Sequence, residues 1–141
     1  MKKSLFALMA MVILGALVLS ACGGSAPTAV QRATPPTEYA SKTNSLAGNA
    51  DAIAKGKEQF TALCQSCHGE KGLGDGPAAS ALTPKPANLE DTAKNASDAY
   101  IYWRIAEGGG MAPFNSAMPA HKDTMSEEQI WQVVSFIRTW K

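Results

Sequence analysis

The chain has 141 residues, with 13 Lys/Arg against 12 Asp/Glu, and a formal net charge of +1. That length allows one domain with appendages, and the balanced charge offers nothing to a nucleic acid. With only three cysteines, and a stray thiol a liability in an exported protein, each of the three needs a role.

Met1-Lys2-Lys3 is a positive start, and Leu5 to Leu19 is almost wholly apolar, the pattern of an export signal. Its end, Leu19-Ser20-Ala21-Cys22, resembles a bacterial lipobox, in which the signal is cut before the cysteine and the thiol receives a diacylglycerol. On that resemblance residues 1–21 are a lipoprotein signal peptide, and Cys22 is the lipidated first residue of the mature chain. Several acyl chains then hold it in a membrane, where one would be marginal. The alternative is an uncleaved anchor, because the apolar run of about 17 residues sits at the short end of the spanning range. Both readings put the remainder outside the cytoplasm, in the cell envelope on its periplasmic face. Cleavage removes Lys2 and Lys3 and takes the charge from +1 to −1, while residues 51–141 hold nine Lys/Arg against eleven Asp/Glu. Net charge does not choose a partner.

Residues 23–50 are rich in Gly, Ser, Ala, Thr and Asn and contain Pro27, Pro35 and Pro36. So few large apolar side chains cannot offset the entropy of ordering the segment, which reads as a tether behind Cys22. As a flexible coil it spans about 30 Å r.m.s.. The alternative is a strap in a groove of a partner subunit, anchored by Tyr39 and Leu46.

The domain starts near Asp51, an N-cap candidate for a helix over Ala52 to Leu63. Ile53, Gly56, Phe60 and Leu63 share one face. Glycine costs on the order of 1 kcal/mol in a helix, so Gly56 on the buried face predicts close approach of another helix. This helix runs into Cys64-Gln65-Ser66-Cys67-His68, and Cys-x-x-Cys-His is the attachment signature of a c-type haem. Two thiols three positions apart on a helical turn project to one side, where each can form a thioether with a porphyrin vinyl group, and His68 presents an imidazole to the iron. A zinc half-site needs a second pair of ligands, yet the only other histidine is His121, with no thiol near it. A redox-active Cys-x-x-Cys needs a βαβ setting, and the flanks read helical.

Residues 69–96 read as irregular, with Gly69, Gly72, Gly74 and Gly76 followed by Pro77, Pro84 and Pro86. A proximal histidine needs its second ring nitrogen bonded to a carbonyl or carboxylate. The Gly76-Pro77 pair is the first candidate for that carbonyl, with Pro84 or Pro86 second; Asn88 and Leu89 either face the haem or serve the loop. Ser97-Asp98 opens a second helix, Ala99 to Glu107, closed by Gly108-Gly109-Gly110. Ile101 and Ile105 share a face that Tyr102 and Ala106 extend. Tyr100, Tyr102, Trp103 and Arg104 are potential donors to a haem propionate, with Trp103 and Arg104 preferred.

The second face of the iron takes a thioether, an imidazole or nothing, which separates electron transfer at high or lower potential from ligand chemistry. Met118 is preferred because Pro119 biases it to extended backbone, from which a side chain is aimed out of a fixed loop. Met111 follows three glycines, Met125 precedes a helix cap, and His121 remains an imidazole alternative. Ser126-Glu127-Glu128-Gln129 is a capping box. Behind it Ile130, Val133, Val134, Ile137 and Trp140 form an apolar face widened by Trp131 and Phe136. Its predicted partner is the first helix, with Gly56 and Phe60 against Val133 and Phe136.

Together these features resemble a small bacterial class I cytochrome c over residues 51–141. The cues are the CQSCH run, the glycine and aromatic of the first helix, a Gly-Pro after the haem histidine, a Met-Pro before the last helix, and a closing aromatic. The resemblance implies an all-α fold whose terminal helices cross while loops wrap one covalent haem c. It implies Cys64 and Cys67 as thioether donors and His68 as proximal ligand, with the Pro77 carbonyl as its hydrogen-bond partner and Met118 as distal ligand. It further implies single-electron transfer without catalysis of its own, as a carrier serving redox partners or as a subunit of a respiratory complex such as an oxidase or alternative complex III. The competing readings are a haem enzyme or gas sensor with a labile sixth position, and an assembly subunit whose haem is structural.

Overall fold

A computed structural model describes residues 32–141; the export signal, the lipobox and Cys22 lie outside the described residues. Among the described residues the order is α1 (Thr37–Ala40), α2 (Ala50–Leu63), α3 (Gln65–His68), α4 (Leu89–Asn95), α5 (Asp98–Glu107) and α6 (Glu127–Ile137), with short 3-10 turns at Ala79–Ala81 and Arg138–Trp140 and no strand. The all-α expectation holds.

The crossing of α2 and α6 organises the domain. At Gly56 an added Cβ would run into the backbone of Gln132 and Val133, so only glycine lets the two helix backbones meet there. Next to it Phe60 packs on Phe136 and Trp140 with ring centroids 5.4 and 5.2 Å away. Phe60, Ile130, Val133 and Val134 are the largest fully buried side chains. Each contributes about 1.5–3 kcal/mol over leaving it in water. The predicted helix pairing is therefore present residue for residue. One face differs from expectation: α2 buries Ala52, Gly56 and Phe60, whereas Leu63 is 49% exposed, because it has passed the end of the α6 contact and reached a cavity rim.

Caps set where the elements begin. Asn49, not Asp51, caps α2, its side chain accepting from the Ala52 N–H; Asp51 falls in the first turn, where its carboxylate meets the positive end of the dipole. Ser126 and Gln129 form the capping box of α6, and Ser97 caps α5 by accepting from the Tyr100 N–H. Helix α5 lays Tyr102 on Trp131 at 4.4 Å and buries Ile101, Ile105 and Ala106 with it.

Two segments depart from the sequence reading. The stretch 69–96 contains α4, which Asn88 starts by accepting from the N–H groups of Glu90 and Asp91. Arg138 finishes α4 by donating to the carbonyls of Ala93 and Ala96 while pairing with Asp98. Seven residues between prolines and a serine carry too little periodicity to announce a helix. The second departure is the tether. From Arg32 onward it packs on this chain's own domain and forms one compact unit with it. Arg32 pairs with Asp91 at 2.7 Å, Tyr39 donates to Glu107, Lys42 pairs with Glu127 at 2.7 Å, and Asn44 donates to Ser135. Tyr39 and Leu46 are the apolar anchors of this strap, the role foreseen for them in a groove of another subunit.

Candidate functional site

Cys64, with φ −114°, breaks α2 from α3. The turn that follows is closed by the His68 N–H donating to the Cys64 carbonyl at 2.9 Å. One turn separates Cys64 from Cys67, so both free thiols and the His68 ring line one cavity. Burial, and secondarily the neighbouring Cys67, pushes the Cys64 thiol up to about 11. It is a neutral, apolar group at pH 7.

His68 Nδ1 lies 3.1 Å from the carbonyl of Ala87. A carbonyl only accepts, so Nδ1 carries the proton and Nε2 keeps its lone pair for a metal. Burial holds the imidazole below its ordinary pKa, opposed by that hydrogen bond, and the neutral ring is the ligating form. The partner predicted from sequence, the Pro77 carbonyl, does not take this position; Pro77 is exposed and the acceptor lies ten residues further on. Tertiary pinning explains the difference. Gly74 N–H donates to the His68 carbonyl at 2.8 Å and Leu89 N–H to the Gly72 carbonyl at 2.7 Å, which lays 86–89 across 72–74. A Cβ on Gly74 would strike the Pro86 carbonyl.

The loop carrying Met118 is pinned to the end of α5. Gly109 N–H donates to the Met118 carbonyl at 2.9 Å, Ser116 N–H to the Gly109 carbonyl at 2.7 Å, and His121 N–H reaches the carbonyls of Ile105 and Ala106 at 3.1 Å. Gly108 has φ +71°, and a Cβ there would meet the Met118–Ala120 backbone at about 2.6 Å. The glycine run thus presses the Met118 segment onto α5 and fixes its path. Met118 and His121 both line the cavity, whereas Met111 and Met125 do not. Met125 is in the core beneath α6.

The cavity has a volume of about 270 Å³, and its floor includes Phe60, Leu89, Ile101, Ile105, Val133 and Ile137. Leu63, Lys85 and Ala117 line it and are exposed, so its mouth is at the surface. Leu89 belongs to the lining; Asn88 does not, and serves as the α4 cap. Of the aromatic and cationic residues foreseen as propionate donors, Tyr100 and Arg104 line the cavity, while Tyr102 and Trp103 do not. Arg104 Nε is fully buried and has no hydrogen-bond partner. An apolar cavity with two thiols, an imidazole whose free nitrogen is poised to ligate, a thioether, and a guanidinium with an unpartnered Nε fits an anionic iron porphyrin.

The family model for cytochrome c matches residues 53–141, more than half of the chain. The chain belongs to the cytochrome c family. It carries one covalent haem c and has a haem electron-transfer role. No curated protein sequence shows a significant match. Among solved structures, a chain of the Kuenenia stuttgartiensis reducing HAO-like protein complex is similar at a TM-score of 0.54 and 24% identity. The likeness covers 65% of this chain and 44% of that one, so this cytochrome spans less than half of that chain's length. At this identity the likeness is one of fold.

Proposed function

We propose that this cytochrome passes single electrons at the outer face of a membrane, anchored through lipidated Cys22. In this reading Cys64 and Cys67 would hold the haem through thioethers to its vinyl carbons, and His68 and Met118 would ligate its iron. The observation that carries it is the convergence of both thiols, His68 and Met118 on one apolar cavity. The bound group supplies Fe(III)/Fe(II) cycling. The protein's part is geometric: Ala87 fixes the His68 tautomer, Gly108 and Gly109 hold the Met118 backbone, and the apolar floor excludes water. A thioether ligand and low polarity both favour the reduced state, so the reduction potential is positive. With both faces filled the chain has no catalysis of its own, and serves redox partners freely or as a subunit of a respiratory assembly.

Spectroscopy of the holoprotein tests the site. Low-spin ferric iron, and slow carbon monoxide binding to the reduced protein at neutral pH, are expected. Met118→Ala should lower the potential and admit carbon monoxide. Rapid binding by the wild type would favour the haem enzyme or sensor reading, and an unchanged Met118→Ala would hand the distal role to His121, which lines the same cavity and is only 9% exposed. For the anchor, Cys22→Ser should move the haem from the membrane to the soluble fraction. A native gel stained for haem after mild detergent extraction separates a free carrier from an assembly subunit.

A further inference from the structure

The cavity wall contains two permanent cations, Lys85 and Arg104, and no carboxylate. They are not equivalent. Lys85 is exposed, whereas Arg104 has a fully buried, unpartnered Nε and enters none of the ion pairs among the described residues. Its guanidinium lies on the Phe114 ring, 3.2 Å from the centroid. It also lies under the Met118 loop: a Cβ on Gly109 would come within 3.0 Å of an Arg104 terminal nitrogen and 3.3 Å of the Met118 Cβ. Burial works against its charge, holding it below the ordinary guanidinium range, with Tyr100 beside it acting the other way. A guanidinium withdrawn from water needs an anion, and among the described residues none pairs with it.

We propose that Arg104 receives a haem propionate and, through its stack on Phe114 and its contact under Gly109, ties that carboxylate to the loop presenting Met118. The inference rests on the haem occupying this cavity. It adds a coupling between the edge of the macrocycle and its distal face. The fork of a guanidinium suits both tasks, since one edge can bind a carboxylate in two places while the plane stays stacked on an aromatic ring. Lysine at this position would keep the charge and lose the stack.

The test uses the holoprotein and three variants, Arg104→Gln, Arg104→Lys and Phe114→Leu. Each is measured for the propionate bending modes in its resonance Raman spectrum, its reduction potential and its carbon monoxide binding rate. Arg104→Gln should shift the propionate modes, lower the potential by removing a cation from the cavity wall, and speed carbon monoxide entry. Arg104→Lys should keep the potential near wild type while still shifting the modes. Phe114→Leu should speed carbon monoxide entry with little change in potential. Propionate modes and potential unchanged in Arg104→Gln would overturn the propionate contact, and unchanged carbon monoxide kinetics in both Arg104→Gln and Phe114→Leu would overturn the coupling. If Arg104→Gln fails to load haem, unmoved propionate modes in Arg104→Lys are decisive against the proposal. Rapid carbon monoxide binding by the wild type would sink the Met118 assignment yet leave the propionate modes as a separate readout.

Discussion

Around Phe60 the chain packs side chain on side chain; around Met118 it ties backbone to backbone. Where α2 crosses α6, Phe60, Val133 and Phe136 exclude water by themselves, and the helices keep their own hydrogen bonds. The cavity walls, residues 69–88 and 108–122, have almost no regular structure. Their main-chain groups are satisfied by single long-range bonds such as Leu89 to Gly72, Gly109 to Met118 and His121 to Ile105. The scaffold helices pack on each other as well as on the cavity, whereas the loop walls meet mainly around it. The difference separates a rigid support from a site that depends on its contents, and each element should fail in its own way.

The largest effect is expected from removing the attachment. Cys64→Ser with Cys67→Ser leaves an unfilled apolar cavity in a domain too small to spare its centre. Amide exchange should rise throughout 69–88 and 108–122 and less in α2 and α6, and the cooperative thermal transition should be lost or greatly lowered. Equal loss of protection in all elements would mean that the scaffold is not independent of the haem. Next is Gly56→Ala. Its methyl has to push the α6 backbone away, at a cost of about 1–3 kcal/mol, or about 4–8 °C in Tm per kcal/mol for a domain of this size; the iron spectrum should be unchanged. Gly108→Ala should cost about 1–2 kcal/mol through its left-handed backbone. Unlike Gly56→Ala it should also loosen Met118 and admit carbon monoxide, so an unaltered distal face would show that the glycine only ends α5.

The smallest effect concerns the strap. Tyr39 and Lys122 hold the Glu107 carboxylate below its usual range, so the stability from this tie is complete above the ordinary carboxylate pKa and fades as pH falls through the lowered value. Burial first, and Glu107 second, raise the Tyr39 phenol above its usual range. Its share is complete below the ordinary phenol pKa and is lost as pH rises through the raised one. Protection of the amides in residues 37–46, relative to their intrinsic exchange rates, should therefore be greatest at intermediate pH and weaker at both extremes, and Tyr39→Phe should flatten the profile at a cost of about 1 kcal/mol. A profile unchanged by Tyr39→Phe would assign the strap to its other ties, Lys42 with Glu127 and over the Tyr102 ring at 5.1 Å.

Local chemistry made part of this legible in advance. The attachment run, the capping box before α6 and the Gly56–Phe60 face are short-range patterns whose meaning depends on residues a turn or two away, and each lies in the structure as read. Met118 lines the cavity with His68, but the bonds from Gly109 that pin its loop to α5 put it there, not the proline after it alone. The Pro77 expectation went astray for a tertiary reason too. Which carbonyl reaches His68 depends on how 86–89 folds back across Gly72 and Gly74, and no pattern near His68 encodes that return. Residues 32–50 of the tether differ from expectation in the same way, since their poverty in apolar residues argues for disorder only until Tyr39 and Leu46 find a surface made by α5 and α6.

By itself the sequence determined α2, α5 and α6, the CQSCH attachment signature and the pair of helices that must touch, because periodicity, capping and ligand spacing act over a few residues. Tertiary structure alone decided that Ala87 holds His68, that Gly108 and Gly109 carry the Met118 segment, that Arg104 is left without an anion, and that residues 32–49 belong to the domain. Those outcomes depend on contacts between segments far apart in the chain, where closure geometry rather than local preference chooses the partner.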